Sequence, residues 1–455
     1  MSLRYNYTNL LHSPAIVCGP REDDLAAHIA QCRQAHEAIL ADRRDDILGF
    51  YALPDQSTGR ILEPLARLGE RYDEMLVLGI GGSALGNRAL YTALRTANGL
   101  RKKLHVCDNV DPLMLKDILD SADLDRTLVN VITKSGTTAE TMSVFLIVLD
   151  MLQRRFPQDY RERVIITTDA EKGFLRQVVN QGGYTSFLVP DNVGGRFSVL
   201  TDVGLVSSAF VGLDINALLS GAAAMRVRCE VEDVWSNPAY LNGLLHYLYM
   251  RQGKNISVMM PYANALYDMA DWYRQLWAES LGKRHTVAGR EVYVGQTPVK
   301  ALGTTDQHSQ VQLYAEGPND KVHTFVVVKD FPHDYTIPDL FPQRDEVNYL
   351  AGQPLSRLLN TEALATEMAL TRAGRPNCTL TFPTLDEYHL GEMIFLYEVQ
   401  TVFTGKLLDI NPLDQPGVEA GKVATYAMMG KKGYDEQRRE ANAYKQAKRE
   451  RGKVL

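Results

Sequence analysis

Hydroxyls, glycines and one lysine crowd into two short turns of this chain, Gly79-Ile80-Gly81-Gly82-Ser83 and Thr133-Lys134-Ser135-Gly136-Thr137-Thr138. Each follows a short apolar run, Met75 to Leu78 and Leu128 to Ile132, and each precedes a stretch with helical spacing. A strand-to-helix turn of this kind aims unpaired backbone N–H groups and the positive end of a helix at one point. With side-chain hydroxyls as further donors and Lys134 as a cation, that point suits a phosphate monoester, and a sugar phosphate is the natural ligand. Ser83, Thr133, Lys134, Ser135 and Thr138 are the expected phosphate contacts, with Gly81 letting the backbone come close. The first turn also matches G-x-G-x-x-A, and Asp108 stands where a ribose-binding acid would be. A dinucleotide site, however, has no use for Ser83 or for the hydroxyls and lysine of the second turn.

The elements that must position these turns are legible from hydrophobic period. Strands are expected at Met75–Leu78, Leu104–Cys107, Leu128–Ile132, Val164–Thr167 and Thr185–Val189, with helical patterns such as Leu85–Ala97 and Thr138–Arg154 between them. A helical stretch from Asp202 to Gly253 follows, then a second series of strands at Ile256–Met260, His323–Val328 and Cys378–Phe382. Alternating strands and helices imply two doubly wound parallel sheets whose carboxyl ends lie near a shared cleft. The expected organisation is a helical N-terminal segment over 1–70, with helix signals around Asp23 to Leu40, α/β domains over 71–212 and 213–405, and a C-terminal helical segment over 406–455. The tail from Lys431 to Lys453 carries nine Lys/Arg against four Asp/Glu. Interspersed acids and sparse aromatics make it a solvated terminal helix rather than a nucleic-acid arm.

The bulk numbers narrow the function classes. A chain of 455 residues, 45% hydrophobic and 23% charged, is an ordinary globular composition. Its net charge of −6 argues against bulk attraction to nucleic acid or acidic membranes, so affinity for an anion must be local. The five cysteines, Cys18, Cys32, Cys107, Cys229 and Cys378, show no ligand spacing and read as free thiols in a reducing compartment. No signal-like N-terminus or membrane-length apolar run is visible, and a cytoplasmic location is expected.

Four further segments occur in fixed order: Val193-Gly194-Gly195-Arg196-Phe197-Ser198, Gln275-Leu276-Trp277-Ala278-Glu279-Ser280, Gly303-Thr304-Thr305-Asp306-Gln307-His308, and Asp414-Gln415-Pro416-Gly417-Val418-Glu419-Ala420-Gly421-Lys422. Together with the two turns they closely resemble the phosphoglucose isomerase family, from about Leu76 to Lys422. The resemblance implies two sugar-isomerase (SIS) type α/β domains with the active site between them at a dimer interface. It implies interconversion of glucose 6-phosphate and fructose 6-phosphate, with neither metal nor organic cofactor.

It also assigns roles. Glu279 matches the base that moves a proton between carbons 1 and 2; Leu276 and Trp277 beside it would supply an apolar setting. Arg196 matches the cation beside the enediolate, with Gly195 permitting close approach. His308 and Lys422 match the ring-opening pair, His308 reaching across from the neighbouring subunit. Gln275 and Gln415 would hold sugar hydroxyls or order the base. The other histidines, such as His246, read as packing or surface residues. Three positions depart from the commonest pattern: Leu413 for an aromatic, Gly136 where an aromatic is frequent, and Asp202 for a small residue. Asp202 is expected to cap the helix beginning near Val203. Two alternatives stay open within the same folds: a dual glucose/mannose 6-phosphate isomerase, and a non-catalytic sugar-phosphate sensor, which would need none of Glu279, Arg196, His308 and Lys422.

Overall fold

The computed structural model describes residues 2–452. The chain divides into two compact units, one ending at Pro412 and the other beginning at Leu413. The first unit holds two five-stranded sheets. One is wholly parallel, with Lys103–Cys107, Glu74–Leu78, Thr127–Ile132, Val164–Asp169 and Thr185–Val189 side by side in that order. Its three inner strands are buried along their whole length, as strands covered by helices on both faces must be.

That order places the site. From the Glu74–Leu78 strand the chain passes through helix Gly82–Leu94 to the edge strand Lys103–Cys107. From its neighbour Thr127–Ile132 it passes through helix Ala139–Arg155 the other way, to Val164–Asp169. The two connections part, and a crevice opens at the carboxyl ends of the two central strands. Both glycine turns stand at this crevice.

The second sheet runs Arg4–Asn6, Asn377–Thr384, Lys321–Asp330, Ile256–Pro261, Thr297–Lys300, parallel except for the antiparallel Arg4–Asn6 edge. Every strand expected from period is present. Both edges escaped the sequence reading, because three residues are too few for an alternation and Pro298 makes Thr297–Lys300 look like a loop. Proline is tolerated there because the strand is an edge.

Helix Glu387–Leu407 runs through the interior, nearly every residue buried. Helix Ile215–Cys229 lies close against it: a Cβ on Gly391 would stand 1.9 Å from Leu218 O, and one on Gly221 1.8 Å from Tyr388 O. The N-terminal helical signal resolves into Glu22–Ala26 and Ile29–Arg44. Asp202 is not a cap. Thr201 is extended and accepts from Val203 N, one residue earlier than expected. Asp202 instead is fully buried, accepts from Leu188 N at 2.9 Å and pairs with Arg60.

The second unit comprises a turn, Pro416–Val418, and helices Glu419–Met428 and Asp435–Arg451. The last has no buried residue, acids in its first turn and bases in its last, which suits the helix dipole. Lys453 lies outside the described residues. Among the described residues no helix is long and apolar enough to cross a membrane.

Candidate active site

A cavity of about 450 Å³ fills the crevice. Ser83, Thr133, Lys134, Ser135 and Thr138 line it, together with Ile80, Thr141, Asp169, Lys172, Gly173 and Asp191. Three hydroxyls converge: Thr133 Oγ1 lies 2.8 Å from Thr138 Oγ1, and Ser135 Oγ is 3.4 and 3.3 Å from the two. Ser135 Oγ also accepts from Thr137 N at 3.3 Å and from Thr137 Oγ1 at 3.4 Å, and by rotating their O–H bonds these hydroxyls can present a common set of donors to an anion. Lys134 Nζ donates to Asp191 O at 2.6 Å, and Lys172 Nζ stands 3.2 Å from Asp191 Oδ2. The turn is held by the facing loop. Gly136 (φ +65°) and Gly173 (φ +92°) are both left-handed, and a Cβ on either would strike the other loop's backbone, 2.7 Å from Leu175 N and 2.5 Å from Ser135 O.

The carboxylate end is built by helix Tyr267–Leu281, which leaves the carboxyl end of the Ile256–Pro261 strand. Gln275 and Glu279 are one turn apart, and Gln275 Nε2 donates to Glu279 Oε2 at 3.0 Å. Arg196 Nη1 stands 3.3 Å from Glu279 Oε1. The guanidinium is buried and held on its other edges, Nε donating to Ser280 Oγ at 2.7 Å and Nη2 to Pro412 O at 2.6 Å. A rigid planar fork fixed on three sides presents its charge to one place. Each carboxylate oxygen of Glu279 therefore meets a donor, while the side chain keeps 26% of its surface exposed and reachable.

The apolar setting expected of Trp277 beside Glu279 is a correction, whereas Leu276 lies buried one helical turn before Glu279. Both are fully buried on the core side of the helix, where Trp277 stacks on Tyr273, meets His246 edge-on and donates to Gln296. Trp277, two positions before Glu279, points away from it around a helix of 3.6 residues per turn. Lys283 closes this helix, its Nζ donating to the carbonyls of Glu279 and Ser280 at 2.8 Å each.

The first glycine turn and the carboxylate end touch. A Cβ on Gly81 (φ +57°) would lie 3.0 Å from Gln275 Nε2, and one on Gly82 only 2.0 Å from Gly195 O. A Cβ on Gly195 itself would meet nothing within 4 Å, so this backbone faces open space. Gly81, Ser83, Gly195, Arg196, Gln275 and Glu279 are thus gathered around one cleft. His308 ends the short turn Thr305–His308 and is exposed, and its side chain makes no hydrogen bond or ion pair among the described residues. Gln415 and Lys422 belong to the second unit, where Lys422 Nζ is 2.8 Å from Glu419 Oε1 on helix Glu419–Met428.

Sequence reasoning missed Ser280 as the anchor of Arg196, although it ends the Glu279 motif, and Lys172 and Asp191, which no motif marks. Asp108 binds Arg88 at 2.6 Å, so it is already engaged and not offered to a ribose.

Fold and site define an α/β protein with a hydroxyl-lined cavity at a switch point and a carboxylate–guanidinium pair beside it. Residues 22–446 match the family model of phosphoglucose isomerase. The chain is 44% identical over 454 residues to a glucose-6-phosphate isomerase of Carboxydothermus hydrogenoformans, covering 97% of both chains. It is 43% identical to one of Rubrobacter xylanophilus, over 94% of this chain and 98% of the other. Among solved structures, a hypothetical protein of Thermus thermophilus aligns with TM-score 0.85 at 35% identity, over 94% of this chain and all of the other. A glucose-6-phosphate isomerase of Chlamydia trachomatis shares the fold at TM-score 0.74 and 23% identity, over 92% and 81% of the two chains. The chain belongs to the phosphoglucose isomerase family.

Proposed function

We propose that the chain interconverts D-glucose 6-phosphate and D-fructose 6-phosphate. The observation that carries this reading is Glu279, held by Gln275 and Arg196 beside an anion cavity lined with hydroxyls. Ser83, Thr133, Lys134, Ser135 and Thr138 hold the phosphate, a remote group whose binding energy orients the reacting carbons. His308, contributed by the neighbouring subunit of a homodimer, and Lys422 open the sugar ring, while Gln415 holds sugar hydroxyls.

In the open-chain aldose, Glu279 takes the proton on carbon 2. The electron pair forms the carbon 1–carbon 2 double bond, and the carbonyl π pair moves onto oxygen 1. The resulting enediolate places its negative charge beside Arg196, a cation already fixed in position, so its stabilisation needs little reorganisation. Oxygen 1 gains a proton, oxygen 2 loses one, and Glu279 returns its proton to carbon 1 to give the ketose. Holding one proton through both transfers is what a positioned base contributes, ~10² to 10⁴ in rate. Five free cysteines, four of them buried, suit a reducing compartment, and the protein is read as cytoplasmic.

The test is turnover of fructose 6-phosphate by purified protein in EDTA, with glucose 6-phosphate dehydrogenase reporting product. Turnover supports the reading. Tight sugar-phosphate binding without turnover would replace it with a sensor.

A further inference from the structure

One charged network joins the anion turn's helix to the base's helix. Arg88 lies on helix Gly82–Leu94, five residues beyond Ser83. Its Nη2 is 2.7 Å from Asp271 Oδ2, its Nη1 2.6 Å from Asp108 Oδ2, and its Nε 3.6 Å from Asp268 Oδ1. Asp271 and Asp268 belong to helix Tyr267–Leu281. Asp271 is only 3% exposed and also receives Lys300 Nζ at 3.2 Å and Arg274 Nη2 at 2.5 Å. Three cations thus face three carboxylates. Asp271, Gln275 and Glu279 follow at intervals of four, so they share one face of the helix. Arg88 fixes one end of that face and Gln275 binds Glu279 at the other.

A buried ion pair adds little net stability, because desolvation offsets its Coulombic gain; its best-attested use is to fix register. Here the register is that between Ser83, at the anion, and Glu279, at the proton. A sugar phosphate spans those two points with a chain of fixed length.

We infer that Arg88 and Asp271 are positioning residues that set the span between the phosphate anchor and Glu279, and so set how accurately the base meets carbons 1 and 2. The inference rests on Glu279 being the base. A base displaced by about 1 Å loses on the order of 10²-fold in rate while the remote anion is still bound.

The test uses the full chain and two variants, Arg88→Met and the isosteric Asp271→Asn, with Glu279→Gln as reference. Expected is a fall in kcat per titrated active site of roughly 10- to 100-fold in both variants, with KM and inhibition by inorganic phosphate within about threefold of wild type. The second readout is the share of deuterium carried from carbon 2 to carbon 1 rather than lost to water. It should drop in both variants, because a displaced base opens the enediolate to solvent. Unchanged kcat, or a lower activity explained by a smaller folded fraction with the deuterium share unmoved, would overturn the positioning role. If Glu279→Gln retains activity, the base assignment itself falls. If that variant is inactive while Arg88→Met and Asp271→Asn behave as wild type, only the positioning role falls.

Discussion

Glu279 is a surface-type residue put to an interior use, and its neighbours explain how. A glutamate with a quarter of its side chain exposed would ordinarily be a solvated helix residue. Here Arg196 and Gln275 hold both oxygens in one place, and Arg196 is itself locked by Ser280 and the carbonyl of Pro412. Substituting Glu279→Gln keeps the shape and the contact with Gln275 but removes the base. Turnover should fall by at least ~10³ while inorganic phosphate still inhibits with nearly wild-type affinity, as expected for loss of a positioned general base. Steady-state kinetics with phosphate as competitor checks both halves, and equal turnover would end the base assignment. Lys134 lines the cavity itself, where it donates to Asp191 O. Lys134→Ala removes attraction for phosphate alone, so KM should rise by roughly 10-fold or more with kcat changed far less. A matching fall in kcat without a rise in KM would place Lys134 in the chemistry instead. At this scale the proposed site was legible in the sequence because its groups are polar residues in short motifs, the hydroxyls in glycine-marked turns and Gln275 and Glu279 one turn apart on a helix. What they left out were the supports: Ser280, Lys283 and Arg88 are ordinary residue types, and only their partners in space reveal them.

The elements matter through how closely two loops pass. Gly82, at the start of helix Gly82–Leu94, backs onto the carbonyl of Gly195, whose neighbour is Arg196. A methyl group there would sit 2.0 Å from that oxygen, closer than any side chain tolerates, so Gly82→Ala must push the Arg196 turn away from the anion turn. Helix propensity favours alanine over glycine by about 1 kcal/mol, so a loss here is a loss of geometry rather than of helix. Turnover should fall ~10²-fold with the secondary-structure content unchanged by circular dichroism. Wild-type rates in this variant would show that the two turns do not need their close approach. The fold itself was readable wherever burial imposed a period. Continuous apolar runs gave the parallel strands, and Gly79–Ser83 and Thr133–Thr138 gave their carboxyl ends. Strand order was not readable, since it rests on pairings between segments distant in the chain, and the crevice between the two central strands exists only because of that order. The short edges Arg4–Asn6 and Thr297–Lys300 have too few residues for a pattern. Thr201 took the capping place of Asp202 because backbone conformation selects between adjacent polar residues.

At the scale of the molecule, stability and catalysis depend on groups far apart. His246 and His323 are fully buried, and burial lowers both to about 4 from an ordinary 6.5. Their folded forms stay neutral while the unfolded chain takes up protons below about pH 6.5, so stability falls as pH drops from there toward 4, by up to roughly 3 kcal/mol per histidine. His246→Phe keeps a ring against Trp277 and removes one titration. Thermal midpoints between pH 7 and 4.5 should fall less steeply in the variant than in wild type, and parallel curves would show that His246 does not stay neutral on folding. Subunit exchange reaches further. In the proposed homodimer each active site combines one chain's Glu279 with the partner's His308. Glu279→Gln and His308→Ala homodimers then lack a complete site and are each nearly inactive. A mixed dimer has one site with both defects and one with neither. Equal parts of the two variants, dissociated and reassociated at random, give half mixed dimers, so activity should return to about a quarter of wild type. Recovery must scale with the fraction of mixed dimer, measured by tagging one variant. If His308 served the Glu279 of its own chain, every site in every dimer would carry one defect, and mixing would restore nothing.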